Sequence, residues 1–262
     1  MYTITTFCYG PKYTPIIPYW KNCIETICPE SSIFILDKIN LQLDFKKYAW
    51  WDILRLFNNI KIVKETNKPV VHIDVDIVVK KNIRPLVELE YDIIISREIG
   101  GNQAFPKECS EKLGFGICSG FYVIKPRAIP FMTNNLNNML KTKYNTYSDQ
   151  ETLMNYIVNT PHTVETVNYG KFKNQIINID GIRICVLDFG IVIRDPIFDR
   201  DQYANHINID NVGGVSNFIR YFSSPLDALP LTCRCGKKHL GDSSECPHIA
   251  IRRLGRNTEE RT

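Results

Sequence analysis

Two carboxylates two residues apart, Asp74 and Asp76, interrupt an apolar run, Val70-Val-His-Ile-Asp-Val-Asp-Ile-Val-Val79. Side chains alternate faces along a regular strand, so both acids would point the same way. Side by side they repel unless something positive lies between them. Oxygen ligands suit a hard divalent cation, Mg²⁺ or Mn²⁺. The flanking residues are too apolar for two solvated acids on an edge strand. At the carboxyl end of a buried strand, such a pair stands where open α/β sheets bind ligands. His72, in the same run, reads as a satisfied strand residue.

A second grouping lies near the C-terminus. Cys233, Cys235, His239, Cys246 and His248 fall within sixteen residues, among Gly turns. Thiolates and imidazoles in such company suit a tetrahedral Zn²⁺ site. The Cys-x-Cys spacing is less usual than Cys-x-x-Cys, so a reduced tail without metal is the alternative. Two single residues also stand out. Asp149 heads a helical stretch, where Asp is a preferred N-cap. His206, in Tyr203-Ala-Asn-His-Ile-Asn-Ile209 ahead of Gly213-Gly214, reads from its surroundings as a loop residue.

The elements that must position these groups follow from periodicity. Tyr2 to Cys8, Ser32 to Leu36, Tyr91 to Ser96 and Ile182 to Leu187 are short β-branched or apolar runs, bounded by turn residues. Val70 to Val79 is a longer one. Apolar residues at helical spacing mark Ile16 to Ile27, Tyr48 to Val63, Ile129 to Leu140 and Asp149 to Val158. Gly114 to Pro126 reads as a Gly-rich loop running into a strand. This alternation argues for an α/β domain with a mostly parallel sheet covered on both faces.

Asp-x-Asp at a strand end serves two kinds of enzyme. Phosphatases of the haloacid-dehalogenase type use one Asp as nucleophile and the other as acid/base. They place the pair near the N-terminus and follow it with a loop residue; here a whole β-α-β-α stretch precedes it and Ile77-Val78-Val79 continues the strand. Metal-dependent glycosyltransferases use the pair to hold a cation on a sugar-nucleotide diphosphate. The blocks Trp50-Trp51-Asp52-Ile53-Leu54-Arg55-Leu56-Phe57, Pro69 to Val79 and Asn82-Ile-Arg-Pro-Leu86 resemble those of the nucleotide-diphospho-sugar transferases of the GT-A fold. Three further blocks agree in order: Tyr2 to Gly10 with the first strand and its nucleotide loop, Ser119-Gly-Phe-Tyr-Val-Ile-Lys-Pro126 with a Ser-Gly-Phe strand, and Ser148-Asp-Gln-Glu-Thr-Leu-Met-Asn155 with the Asp-Gln motif of glycogenin-like enzymes.

The resemblance covers about Tyr2 to Phe222. It implies a GT-A Rossmann-like mixed sheet with helices on both faces over residues 1–224, followed by a linker and Cys/His-rich tail over 225–262. It implies a donor, by family habit a UDP-sugar, lined by Thr6, Cys8, Tyr9, Asp37, Trp51, Asp74, Ser119, Gly120 and Gln150. Mn²⁺ or Mg²⁺ would be held by Asp74, Asp76 and a returning His206, since imidazole is acceptable to Mn²⁺. Asp149 would face the donor sugar as the catalytic carboxylate. The acceptor is a glycan, a protein or a small molecule. Related bacterial sequences carry Lys where this chain has Ile53; Lys47, Arg55 and Arg97 are the cations able to replace it. A transferase fold kept only as a nucleotide-sugar-binding module is the non-enzymatic alternative.

Composition narrows the setting. At 262 residues and 30.3 kDa the chain is one large domain or one domain with an appendage. With 44% hydrophobic and 23% charged residues it is globular. A net charge of +4 is too mild for wholesale nucleic-acid binding. No apolar run reaches the ~18 residues needed for a membrane span, and the N-terminus lacks a signal-peptide pattern. A cytoplasmic setting is expected, with 9 Cys as thiols or metal ligands. Cys8, Cys23, Cys28 and Cys185 lie in apolar runs and read as core. The Ile/Asn/Lys-rich composition fits an AT-rich genome, large DNA viruses included, for which the compartment would be the host cytoplasm.

Overall fold

In a computed structural model of the chain, the structure describes residues 1–8, 11–36, 49–98, 107–141, 148–194, 202–207, 209–223, 230–232 and 238–240. Strands β1 (Thr3–Phe7), β2 (Ser32–Leu36) and β3 (Val70–Ile73) alternate with helices α1 (Ile17–Ile27) and α2 (Ala49–Thr66). β1 pairs in parallel with β2, register Thr3↔Ser32, and with β3, register Thr5↔His72. The chain continues through β4 (Ile77–Val79), α3 (Arg84–Val87), β5 (Ile93–Glu98), α4 (Lys107–Leu113), β6 (Gly116–Ile124), α5 (Ile129–Lys141) and α6 (Ser148–Asn159). Then come β7 (His162–Tyr169), β8 (Phe172–Ile179), β9 (Ile182–Val186), β10 (Val192–Arg194), β11 (Ala204–His206), α7 (Val215–Ser223), β12 (Pro230–Thr232) and β13 (Lys238–Leu240).

Eight strands form the main sheet in the order β2-β1-β3-β6-β5-β9-β8-β7. The sheet is mixed, as the resemblance implied. It is parallel where strand-helix alternation was legible, through β2-β1-β3 and between β5 and β9. It is antiparallel where β6 inserts between β3 and β5, and where the β7–β8 hairpin joins β9. β10, β11 and β4 form a separate small sheet.

Alternation along the strands sends side chains into two cores. Val71, Ile73, Phe121 and Val123 pack with Trp20 and Ile24 of α1 and Phe218 and Tyr221 of α7. Val70, Tyr122 and Ile124 pack with Leu56, Ile60 and Val63 of α2, Phe131 and Met132 of α5, and Leu153 and Ile157 of α6. Helices therefore cover both faces. Each fully buried large apolar side chain contributes roughly 1.5–3 kcal/mol, so these two layers fix the strand ends that carry the site.

Four features differ from the reading of the sequence. Val70 to Val79 is not one strand. It breaks at Asp74–Asp76, where the Ile77 amide donates to the Asp74 carbonyl at 3.0 Å and closes a turn. β4 then leaves the main sheet to pair antiparallel with β11, His206 opposite Ile77. Gly114 to Pro126 is mostly strand, because the loop ends at the Gly114 turn (φ +78°) and β6 starts at Gly116. The β7–β8 hairpin was not read at all, although Gly170 at φ +59° marks its turn. In the stretch read as linker and tail, β12 and β13 pair antiparallel.

Candidate functional site

The site begins where β3 stops. The backbone of Asp74 is held by its amide donating to the Gly120 carbonyl of β6, at 2.8 Å. The turn carries the chain on to Asp76, whose carbonyl accepts from the Ile207 amide at 2.9 Å. That bond and the β4–β11 register bring His206 beside Asp76, with Nε2 at 3.3 Å from Oδ1. One ligand atom from each of Asp74, Asp76 and His206 lies within 4.8 Å of the others, close enough to hold one metal ion. The two carboxylates converge through a turn and not, as the sequence suggested, through the alternation of one strand. His206 ends a strand and is not a loop residue.

Gly120 lets Asp74 and His206 come close to the backbone of β6. A Cβ there would lie 2.9 Å from Asp74 Oδ2 and 2.9 Å from His206 Cε1. Two carboxylates and an imidazole brought this near one another match the donor set of Mn²⁺ or Mg²⁺.

Behind the cluster lies a cation that the sequence offered only as one of three stand-ins. Arg55, on α2 and buried, donates through Nη1 to Asp74 Oδ1 at 3.1 Å. Its Nη2 donates to Asp52 Oδ1 at 3.0 Å, to Ser119 Oγ at 3.2 Å, and to Asp149 Oδ2. Ile53, where a Lys was expected, is instead buried in the core beneath α2. Of the other two stand-ins, Arg97 lies over the Phe115 ring at 5.7 Å, and Lys47 lies outside the described residues. The helical period explains the outcome: Asp52 and Arg55 share one face of α2 at i,i+3.

Asp149 lies within the first turn of α6, which starts at Ser148, so the simple N-cap reading does not hold. Its Oδ1 accepts from Ser119 Oγ at 3.1 Å and from the Gln150 amide at 2.7 Å. Gln150 reaches back to β6, its Oε1 accepting from the Ser119 amide at 3.4 Å. Asp149, Gln150 and Ser119 thus form one buried group, tied through Arg55 to Asp74.

Three carboxylates, Asp52, Asp74 and Asp149, gather around the Arg55 guanidinium, while Asp76 stands beside His206. Burial works against the charge on Arg55, but Asp149, Asp52 and Asp74 together raise its pKa well above the ordinary value. Burial would raise Asp74, yet Arg55 and the hydrogen bond from His72 hold it at about 2. Burial would lower His206, but Asp76 carries it well above the usual imidazole value. His72 goes the other way: burial pushes it down, outweighing its bond to Asp74. The surplus of negative charge over Arg55 leaves the outer side of the cluster ready to take up a cation.

The end of β1 runs beside this centre, since β1 and β3 are parallel. Thr6 is fully buried, and its Oγ1 finds no hydrogen-bond partner among the described residues. Cys8 is buried, its amide donating to the Leu36 carbonyl at 3.0 Å. Trp51, at the start of α2, packs its ring 5.6 Å from that of Phe7. Tyr9 and Asp37 lie outside the described residues. So do Cys233, Cys235, Cys246 and His248 of the zinc grouping, while His239 falls on β13.

With this geometry in view, comparison with known proteins gives three findings. A family model described as nucleotide-diphospho-sugar transferase matches residues 53–202, more than half of the chain. No curated protein matches the chain by sequence. Among solved structures, a glycosyltransferase involved in the glycosylation of the major capsid of PBCV-1 is similar in fold, at 13% identity and TM-score 0.56, covering 85% of this chain and 98% of that one. A looser likeness links it to the galactosyltransferase LgtC in complex with donor and acceptor sugar analogues, at 12% identity and TM-score 0.47, over 78% of this chain and 86% of that one.

Proposed function

The chain belongs to the nucleotide-diphospho-sugar transferase family and is a glycosyltransferase of GT-A type, and on that premise we propose that it moves a sugar from a UDP-sugar to an acceptor hydroxyl with the help of Mn²⁺ or Mg²⁺. The observation that carries the metal dependence is the convergence of Asp74, Asp76 and His206, with ligand atoms within 4.8 Å of one another, beside Gly120. A cation bound there supplies positive charge to the leaving diphosphate.

In the transfer, the bond between the anomeric carbon and the diphosphate oxygen breaks, and its electron pair leaves with the nucleotide. The acceptor oxygen bonds to the same carbon and gives up its proton. Asp149 is the carboxylate placed for the sugar side. It takes that proton or steadies the positive charge that builds on the sugar. Arg55 and Ser119 hold it in one orientation by their bonds to its two oxygens. Gln150 and Gly120 flank the sugar, while Thr6, Cys8 and Trp51 line the nucleoside side.

Family membership sets aside the phosphatase alternative. The test is nucleotide release from a panel of nucleotide sugars, run with Mn²⁺ and again with EDTA. Release of UDP that needs the cation is expected. UDP binding with no turnover across the donors, even with a broad set of acceptors, would instead favour a binding module.

A further inference from the structure

His72 is the titratable side chain closest to the cluster that the reading so far leaves without a task. It stands on β3, two residues before Asp74 and on the same face, and its side chain is 1% exposed. Nε2 lies 2.8 Å from Asp74 Oδ1. A carboxylate oxygen accepts, so Nε2 carries the proton. On the far side of the ring, Nδ1 lies 3.4 Å from Thr5 Oγ1, the partner across the parallel β1–β3 register. Thr5 is itself held by donating to Asn59 Oδ1 at 2.8 Å, and Asn59 donates to the Tyr122 hydroxyl at 2.7 Å. The Tyr122 ring packs 5.1 Å from the imidazole. The ring is therefore held by contacts from β1 and β6, which Asn59 of α2 braces in turn.

The division of labour at Asp74 gives this a purpose. Its Oδ1 receives two donors, His72 Nε2–H and Arg55 Nη1–H. Its Oδ2 is the oxygen turned toward Gly120 and His206. Arg55 is drawn at once toward Asp52, Asp149 and Ser119. Among the described residues, the ring nitrogens of His72 meet Thr5 behind and Asp74 in front. We infer that His72 is a positioning residue, which pins one oxygen of Asp74 so that the other is aimed at the cation. The inference rests on the proposed metal site and adds to it the group that orients a ligand from behind. Partners of this kind typically set metal affinity by about 10- to 100-fold.

Two measurements test it. In metal-free protein, long-range ¹H–¹⁵N correlation spectra should show His72 protonated at Nε2. An Nδ1–H tautomer would overturn the inference, and this readout needs no variant. Next, Mn²⁺ is titrated without nucleotide and followed by paramagnetic resonance. His72→Phe keeps a ring against Tyr122 but has no donor, and should bind Mn²⁺ about 10- to 100-fold more weakly. His72→Gln restores an N–H donor and should recover most of that loss. Turnover of His72→Phe should also recover as Mn²⁺ is raised, which a merely structural defect would not do. Equal Mn²⁺ affinity in His72→Phe and the parent would refute the role of His72 alone. A parent that binds no Mn²⁺ would refute the cation site and, with it, the role built on it.

Discussion

Asp149 and Arg55 carry opposite charges in a place where neither is at ease alone. Breaking a buried pair by removing one partner's charge is costly, because the other is left uncompensated. Asp149→Asn therefore does two things. It removes the carboxylate proposed to act on the sugar, and turnover should fall by roughly 10²-fold or more. It also weakens the hold on Arg55, although Asp52 and Asp74 remain, so stability should fall by about 1–3 kcal/mol, the usual cost of a poorly satisfied buried polar group. Steady-state kinetics and a denaturant titration on one preparation check both. Full activity would remove Asp149 from the chemistry, and an unchanged midpoint would contradict the buried network. The capping expectation alone gave no such loss, because it did not include Arg55. Which of Lys47, Arg55 and Arg97 would stand in for the Lys that Ile53 replaces was not legible in sequence, since the answer depends on which face of α2 meets β3 and β6.

At the scale of elements, the site exists because a strand is interrupted. The spacing of Asp74 and Asp76 was legible, and so was the order of the blocks that carry them. The turn between them was not, because Val75 and Ile77 to Val79 are as β-prone as the residues before them. What decides the break is β11, a three-residue strand from a distant part of the chain that draws β4 out of the main sheet. Local propensity holds no record of such a partner. The β7–β8 hairpin and α7 are different cases. Alternation about Gly170 and the spacing of Val215, Phe218, Ile219 and Phe222 were both there to be read. β6 contributes by a missing side chain. In Gly120→Ala the new methyl would crowd Asp74 Oδ2 and His206 from the rigid middle of a buried strand. The variant should fold, at a cost of about 1–3 kcal/mol for overpacking, yet bind Mn²⁺ at least about tenfold more weakly, one ligand's worth of misplacement. Calorimetry with Mn²⁺ decides the matter, and parent-like affinity would mean that the ligands do not converge beside Gly120.

For the whole molecule, the cluster joins two sheets. Asp74 directly follows β3 of the eight-stranded sheet, while Asp76 leads into β4 and His206 ends β11 of the small one. A cation shared by the three ties the sheets together and binds only the folded state. At a free Mn²⁺ concentration a hundredfold above Kd, stability should rise by about 2.7 kcal/mol, which for a chain of this size is roughly 5–10 °C in the melting midpoint. EDTA should reverse the rise, and amide exchange in β4 and β11 should slow with the metal present. A melting curve indifferent to Mn²⁺ would show that the sheets are not linked in this way. The central claim, that these three side chains hold the cation on which nucleotide binding depends, is tested most directly by calorimetric titration of UDP into Asp76→Asn and the parent, each with saturating Mn²⁺ and with EDTA. Asp76 suits the purpose because Arg55 holds Asp52, Asp74 and Asp149 but not Asp76, so the variant leaves that network standing. The account predicts tight binding only in the parent with Mn²⁺, and weak binding in the other three titrations. UDP affinity that is the same in all four would contradict it.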